Sequence, residues 1–393
     1  MTCPHTYYWV VLICLCLFPA TIEAQDSLVV SGKQRPLRFS GQLSGWLQYT
    51  PDMRVDFSGC GRYIPQLNGK IPMKKEHLFD FEASANVYGS MNAELFSNAD
   101  FDYKLKAYRI WARYSNQRME LRIGLQKINF GSAQMFRPLM WFDRIDSRDP
   151  LQLTDGVKAL LWRYYFQNNA NIWIWGLYGN NDLKGNELTA VRKNRPEAGG
   201  RIQLPIPKGE VALSYHYRTT DPEKLFFPWS PSPYEQIGEH KIGFDFKITA
   251  VAGFWLEASW TRLNKDLGIH THQEMITAGT DYTFGIGNGL VATFEQSIFS
   301  YDQNAFEFAH NTTVSALSLL YSLNVFDHIS LMTYRNWTDN THYYFFTWEK
   351  RLNRLSFYVT GFWNPKTNSL PGQGSLNNRF ADKGVHIMAV WNH

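Results

Sequence analysis

The stretch from Arg118 to Gly131, RMELRIGLQKINFG, decides the fold. On an extended chain Met119, Leu121, Ile123 and Leu125 fall on one side, with Arg118, Glu120, Arg122 and Gln126 on the other. A strand lying between a protein core and water reads this way. So does a strand lying between hydrocarbon and a water-filled interior. The rest of the sequence has to choose between them.

The same period of two recurs along the chain. It marks strands at 37–49, 77–88, 91–97, 103–114, 118–127, 157–167, 172–178, 199–205, 210–218, 240–248, 254–263 and 275–284, then at 290–301, 313–323, 328–337, 342–352, 354–363 and 381–391. The expected total is about 18, since strand boundaries are the least legible feature of a sequence. Short links, such as SNQ at 115–117 and PKG at 207–209, alternate with long ones at 50–76, 128–156, 179–198, 219–238 and 365–380. Long connections at one end and short turns at the other are the habit of outer-membrane barrels.

The two strand faces differ in kind. Large aromatics gather near strand ends, as in Tyr164 and Phe166, Trp173 and Trp175, Tyr215 and Tyr217, and Tyr344, Phe346 and Trp348. Rings at the two water–lipid boundaries explain that placement. The opposite faces carry Arg109, Arg113, Glu210, Arg218, Lys241, Asp245, Lys247 and Glu257 in mid-strand. Such groups cannot sit dry without partners, and a wide barrel supplies water. The expected architecture is all-β: a transmembrane, antiparallel, up-and-down barrel of about 18 strands.

Composition narrows the class further. The 393 residues carry 39 basic against 35 acidic side chains, a balance too mild for a nucleic-acid binder. The apolar run Tyr7–Phe18 is too short to cross a bilayer as a helix but suits a secretory signal ending at Ala24. Removing 1–24 takes away Glu23 alone among charged residues, so the mature charge is 39 − 34 = +5. Residues 25–393 then form one barrel domain in a bacterial outer membrane, inserted there by the barrel-assembly machinery. Three of the four cysteines, Cys3, Cys14 and Cys16, lie in the leader, which leaves Cys60 with no partner for an internal disulfide. No cofactor is expected.

LRIGLQKINFGS (121–132), followed by the acidic loop DRIDSRDPLQLTDGVKAL (143–160), resembles the alginate-export-type and related outer-membrane porin families. Gly124, Gln126, Gly131 and Pro150 match. Leu125 and Phe130 stand where a basic residue and a tryptophan are more typical. The resemblance implies a monomeric 18-stranded barrel that passes a charged or polar solute selectively. Because of the departures, alginate is not carried over as cargo.

Two groups of residues are candidates for a solute path. In loop 128–156, Arg137, Arg144 and Arg148 mix with Asp143, Asp146 and Asp149 amid Phe136, Met140, Trp141 and Phe142. Folded into the barrel mouth, the loop would bury its apolar groups and line a constriction with opposed charges; as an outer loop, its charges would only pair with one another. Arg109, Arg113, Arg118 and Arg122 share a face of two adjacent strands. They form either a path for anions, whose oxygens suit guanidinium forks, or a salt-bridged ladder holding register. The histidines His270 and His272 are two ligands without a third, weak grounds for a metal. A channel for small polar or anionic solutes is the leading expectation. An export channel for an anionic polysaccharide, a barrel enzyme acting on lipid or peptide, and a secreted soluble β module are the alternatives.

Overall fold

The computed structural model describes residues 36–51, 57–74, 76–93, 99–225, 234–366, 370 and 380–393. The leader expected at 1–24 lies outside them. The strands are β1 (Leu37–Tyr49), β2 (Phe57–Pro72), β3 (Leu78–Ala93), β4 (Ala99–Ser115), β5 (Met119–Gln126), β6 (Val157–Tyr165), β7 (Asn171–Leu177), β8 (Thr189–Val191), β9 (Glu197–Ile206) and β10 (Gly209–Leu225). They continue as β11 (Ile237–Thr249), β12 (Gly253–Leu263), β13 (His272–Phe284), β14 (Leu290–Asp302), β15 (Asn311–Ser322), β16 (Asp327–Asn336), β17 (Thr341–Arg351), β18 (Leu355–Trp363) and β19 (Lys383–Asn392).

Each strand pairs antiparallel with its neighbours, and β1 closes the ring on β19 from Gln42↔Asn392 to Tyr49↔Val385. The three-residue β8 prolongs the edge that β9 presents to β10, pairing Val191 with Thr220 beyond the last β9 pair, Ala198↔Tyr217. Nineteen strands therefore occupy 19 − 1 = 18 places in the wall. Closure leaves the described strands with no free sheet edge.

The pleat sorts side chains as Arg118–Gly131 foreshadows. Leu121 and Ile123 point outward and are exposed, while Glu120 and Gln126 are buried inside. On β1 the outward set is Leu37, Phe39, Leu43 and Leu47; facing it across the wall are Ser44 and Gln48. An apolar surface encircling a whole molecule would aggregate in water and suits hydrocarbon.

Strand β4 shows how strictly this sorting is kept. Its register on β3 steps from Ser84↔Arg109 to Ala85↔Ala107, leaving Tyr108 as an extra residue. Before this bulge the exposed large apolar residues are odd-numbered, Phe101, Tyr103 and Leu105; after it the exposed apolar residue is Ile110. One inserted residue flips the face, as the period of two requires.

Two sequence expectations are corrected. The stretch 50–76, read as a loop, holds β2, whose Gly59, Gly61, Pro65 and Gly69 look like breakers. The ladder to β3 skips Ile64 and Pro65 at the missing proline donor. The segments 77–88 and 91–97 are not separate strands, because β3 runs straight through Gly89–Ser90. One strand gained and one lost leave the count unchanged.

Seven of the short connections are 116–118, 166–170, 207–208, 250–252, 285–289, 323–326 and 352–354; strand alternation puts these at one end, together with the Leu37 start of β1 and the Asn392 end of β19. The three longest connections, 127–156, 178–196 and 364–382, are at the other end.

Candidate functional site

Loop 127–156 leaves β5 and rejoins the wall at β6, yet its backbone is held far round the ring. Ala133 donates its N–H to Glu257 Oε1 at 2.6 Å on β12. Gln134, Met135 and Phe136 donate theirs to the two oxygens of Glu295 on β14, at 2.6, 2.9 and 2.7 Å. Further on, Trp141 Nε1–H bonds to Ser259 Oγ on β12 at 3.0 Å, and Ser147 Oγ meets the Tyr334 hydroxyl on β16 at 2.9 Å. Glu257, Glu295 and Tyr334 all lie on inner faces and are completely buried. The loop thus runs inside the barrel, with carboxylates on the wall receiving amides that no strand satisfies.

Two apolar clusters fix it in place. Near its roots, Ile128, Phe130, Leu139, Trp141 and Phe142 pack on Val157, Ala159, Leu161, Trp175 and Leu177. Toward the far wall, Met135 and Phe136 join Met275, Phe299, Tyr334, Tyr343, Phe345, Phe362 and Phe380. Trp173 and Trp175, expected on the outer face, point inward instead, because the loop needs an apolar wall to lie on. The outer face of β7 is left to residues such as Ile174.

The motif residues have structural tasks. Gly131 has φ +97°, and a Cβ there would strike the Glu257 carboxylate, so the loop can pass its anchor only as glycine. Gly124, at φ +122°, lets β5 press against the Ile110 carbonyl of β4. Gln126 is buried and donates to the Ala159 carbonyl at 2.9 Å. Pro150 lines a cavity beneath the loop.

The loop charges mostly find each other. Arg137 pairs with Asp143 at 3.1 Å, and Arg148 forks onto Asp146 at 2.9 and 2.8 Å. Asp149 caps its own turn through the Leu151 N–H. Arg144 is exposed, its N–H bonded to Thr154. These are internal pairs rather than two opposed rows.

Of the four arginines expected on one face, three point inward. Arg109 braces the loop's end through the Thr154 carbonyl at 2.8 Å. Arg113 forks onto Asp80 at 2.8 and 2.5 Å, and Arg122 meets Glu120 at 2.9 Å. Arg163 of β6, not anticipated, adds a third cation to Glu120 at 3.6 Å while lying over the Trp173 ring. Arg113, Arg122 and Arg163 face two carboxylates, Asp80 and Glu120, and carry one positive charge in excess. Arg118 departs from the set: it is exposed in the 116–118 turn, where Asn116 Oδ1 accepts its N–H and ends the alternation.

A second inner anchor went unforeseen. Loop 178–196 brings Lys184 and Glu187 against Glu197, Arg218, Glu239 and Lys241. Burial alone would raise the Glu187 carboxyl, but Arg218, Lys241 and Lys184 outweigh it and hold it at about 2. His216 closes this network: Trp175 Nε1–H donates to its Nδ1, leaving Nε2 facing Glu197 at 3.2 Å. Asn186 donates to the Arg137 carbonyl and so ties the two loops together. Arg218, Lys241 and Glu257 were legible as inward charges, but no local pattern marks which loop each would meet. His272 stacks on Trp260 and accepts its N–H, and His270 stands edge-on to Tyr301.

OccAB1 of Acinetobacter baumannii superposes on 91% of this chain and 96% of its own, with a TM-score of 0.56 at 10% identity. The barrel has the porin fold. A Salmonella typhi OmpF in complex with daunomycin (9% identity, 91% and 97% covered, TM-score 0.49) and an anion-selective porin from Comamonas acidovorans (11%, 91% and 99%, 0.48) are also similar. No protein-family model and no curated relative matches the chain. The alginate-export likeness of 121–132 and 143–160 therefore rests on those residues alone.

Proposed function

We propose that this porin-fold chain is a passive outer-membrane channel for small polar or charged solutes, narrowed by loop 127–156 and modestly anion-preferring. The observation that carries the reading is the crossing of the lumen by that loop, pinned at Glu257 and Glu295. A loop held there leaves solutes a reduced passage lined by whatever charge the remaining wall offers. The excess cation of the Arg113, Arg122 and Arg163 group supplies the preference. Because Arg137, Arg148 and their carboxylate partners cancel internally, they shape the passage more than they set its sign.

Purified protein in a planar lipid bilayer tests the proposal. The expected result is stepwise ion current with a reversal potential displaced toward chloride in a potassium chloride gradient. Absence of conductance steps sinks the channel; a cation-selective reversal potential sinks the anion preference alone.

A further inference from the structure

Beneath the inner loop the structure holds a cavity of about 200 Å3 with no part in the arginine group. Its roof is Ser147 to Gln152 of loop 127–156, and its walls are the inner faces of β15 to β18. It lies toward the short turns, where His328, Arg351 and Tyr358 sit beside connections 323–326 and 352–354.

The lining has a distinct chemistry. Ser318, Ser330, Thr347 and Tyr358 bring four hydroxyls, while Leu320, Met332 and Phe345 supply an apolar floor. The charges on its wall come in equal number, Arg148 and Arg351 against Asp149 and Glu349. Arg351 forks onto Glu349 at 2.5 and 3.0 Å, and Arg148 is already bound to Asp146. A net anion or cation gains little here. A planar carboxylate–guanidinium pair beside several hydroxyls offers donors and acceptors side by side, the pattern that neighbouring hydroxyls of a polyol match. An aromatic ring suits the C–H face of a sugar ring.

We propose that this cavity is a binding subsite for a neutral, hydroxyl-rich solute the size of a single sugar ring. The subsite rests on the channel reading and goes beyond it, since the anion preference belongs to the opposite wall.

The test adds glucose, then glucuronate, to bilayers bearing the wild-type channel and Ser330→Phe, whose ring would fill the cavity. The expected result is a saturable fall in ion current with glucose, not tighter with glucuronate. In S330F the half-saturating glucose concentration rises by about tenfold, the scale of losing one or two hydrogen bonds. Thr347→Val, a smaller change, should shift it in the same direction. A current that falls only linearly with glucose overturns the subsite, as does saturation unchanged in both variants. Tighter block by glucuronate overturns its neutrality. If the wild-type protein does not conduct, the channel reading fails separately, and saturation-transfer NMR of glucose on the detergent-solubilised proteins reads the cavity directly: transfer in wild type that is lost in S330F supports it, and equal transfer or none refutes it.

Discussion

Phe136 donates its backbone N–H to Glu295 at 2.7 Å, and the two residues before it bond to the same carboxylate. One side chain of β14 therefore holds three consecutive amides of a loop rooted at β5. Hydrogen bonds to a charged group contribute about 1.5–3 kcal/mol each, so this contact is the main polar tie between the loop tip and the far wall.

Glu295→Ala should free the tip while leaving the barrel closed. Open-channel current should become noisier and larger, and protease should cut within 127–156 faster than in wild type. A loop as protected in the variant as before would show that the apolar cluster around Phe136 holds it without the carboxylate.

Gly131→Ala tests the crossing at Glu257. The new Cβ strikes the carboxylate at a φ that disfavours side chains, a strain on the order of 1–3 kcal/mol. The expected phenotype is a local rather than global loss of amide-exchange protection around the crossing. Unchanged exchange at residues 131–136 would refute it.

Replacing both Arg122 and Arg163 by Ala removes two cations and leaves Glu120 with Arg113 at 3.5 Å. The passage should turn from weakly anion-preferring to weakly cation-preferring, a change of roughly twofold or more in permeability ratio. A reversal potential that does not move would reduce these arginines to a ladder that keeps register. Arg109 is a poorer probe, because it also supports the end of the loop.

Loop 178–196 should resist acid. Glu187 has a folded pKa depressed from 4.5 to about 2. Its contribution is therefore present in full above the unfolded value and is lost as pH falls through about 2. Protease protection of this loop should hold from pH 7 to about pH 5 and fall progressively as pH drops from 4.5 toward 2. In Glu187→Gln it should be weakened already at pH 7, since Arg218 and Lys241 keep only Glu239 in common. Equal protection in both proteins at pH 7 would count against the network as an anchor.

Much of the barrel was readable because a strand between lipid and water has only two faces. Leu121 and Ile123 against Glu120 and Arg122 announce it within four residues, and no long-range partner is needed to interpret them. Legibility failed where the local signal was ambiguous. Glycines and a proline disguised β2 as a loop, and Gly89–Ser90 looked like a turn inside β3. Trp173 and Trp175 were placed outside because lipid-boundary rings and core rings read alike in a sequence.

The candidate site was legible in its parts and not in its assembly. The mixed charges and aromatics of 128–156 marked a loop that buries itself. Which wall it would reach was not written there: Glu257 and Glu295 lie more than a hundred residues away, and each looks like any inward-facing carboxylate. Their role depends on curvature and register summed over many strands.

The amino-acid order alone settled a cylinder of strands with an oily outside, a polar inside, and long connections at one end, because each of these follows from alternation between neighbouring residues. Tertiary structure alone decided that loop 127–156 crosses the interior, that most of its charges are spent on one another, and that the arginine group and the neutral cavity lie on different walls. Those outcomes depend on distances across the lumen between residues remote in sequence, which no local pattern encodes.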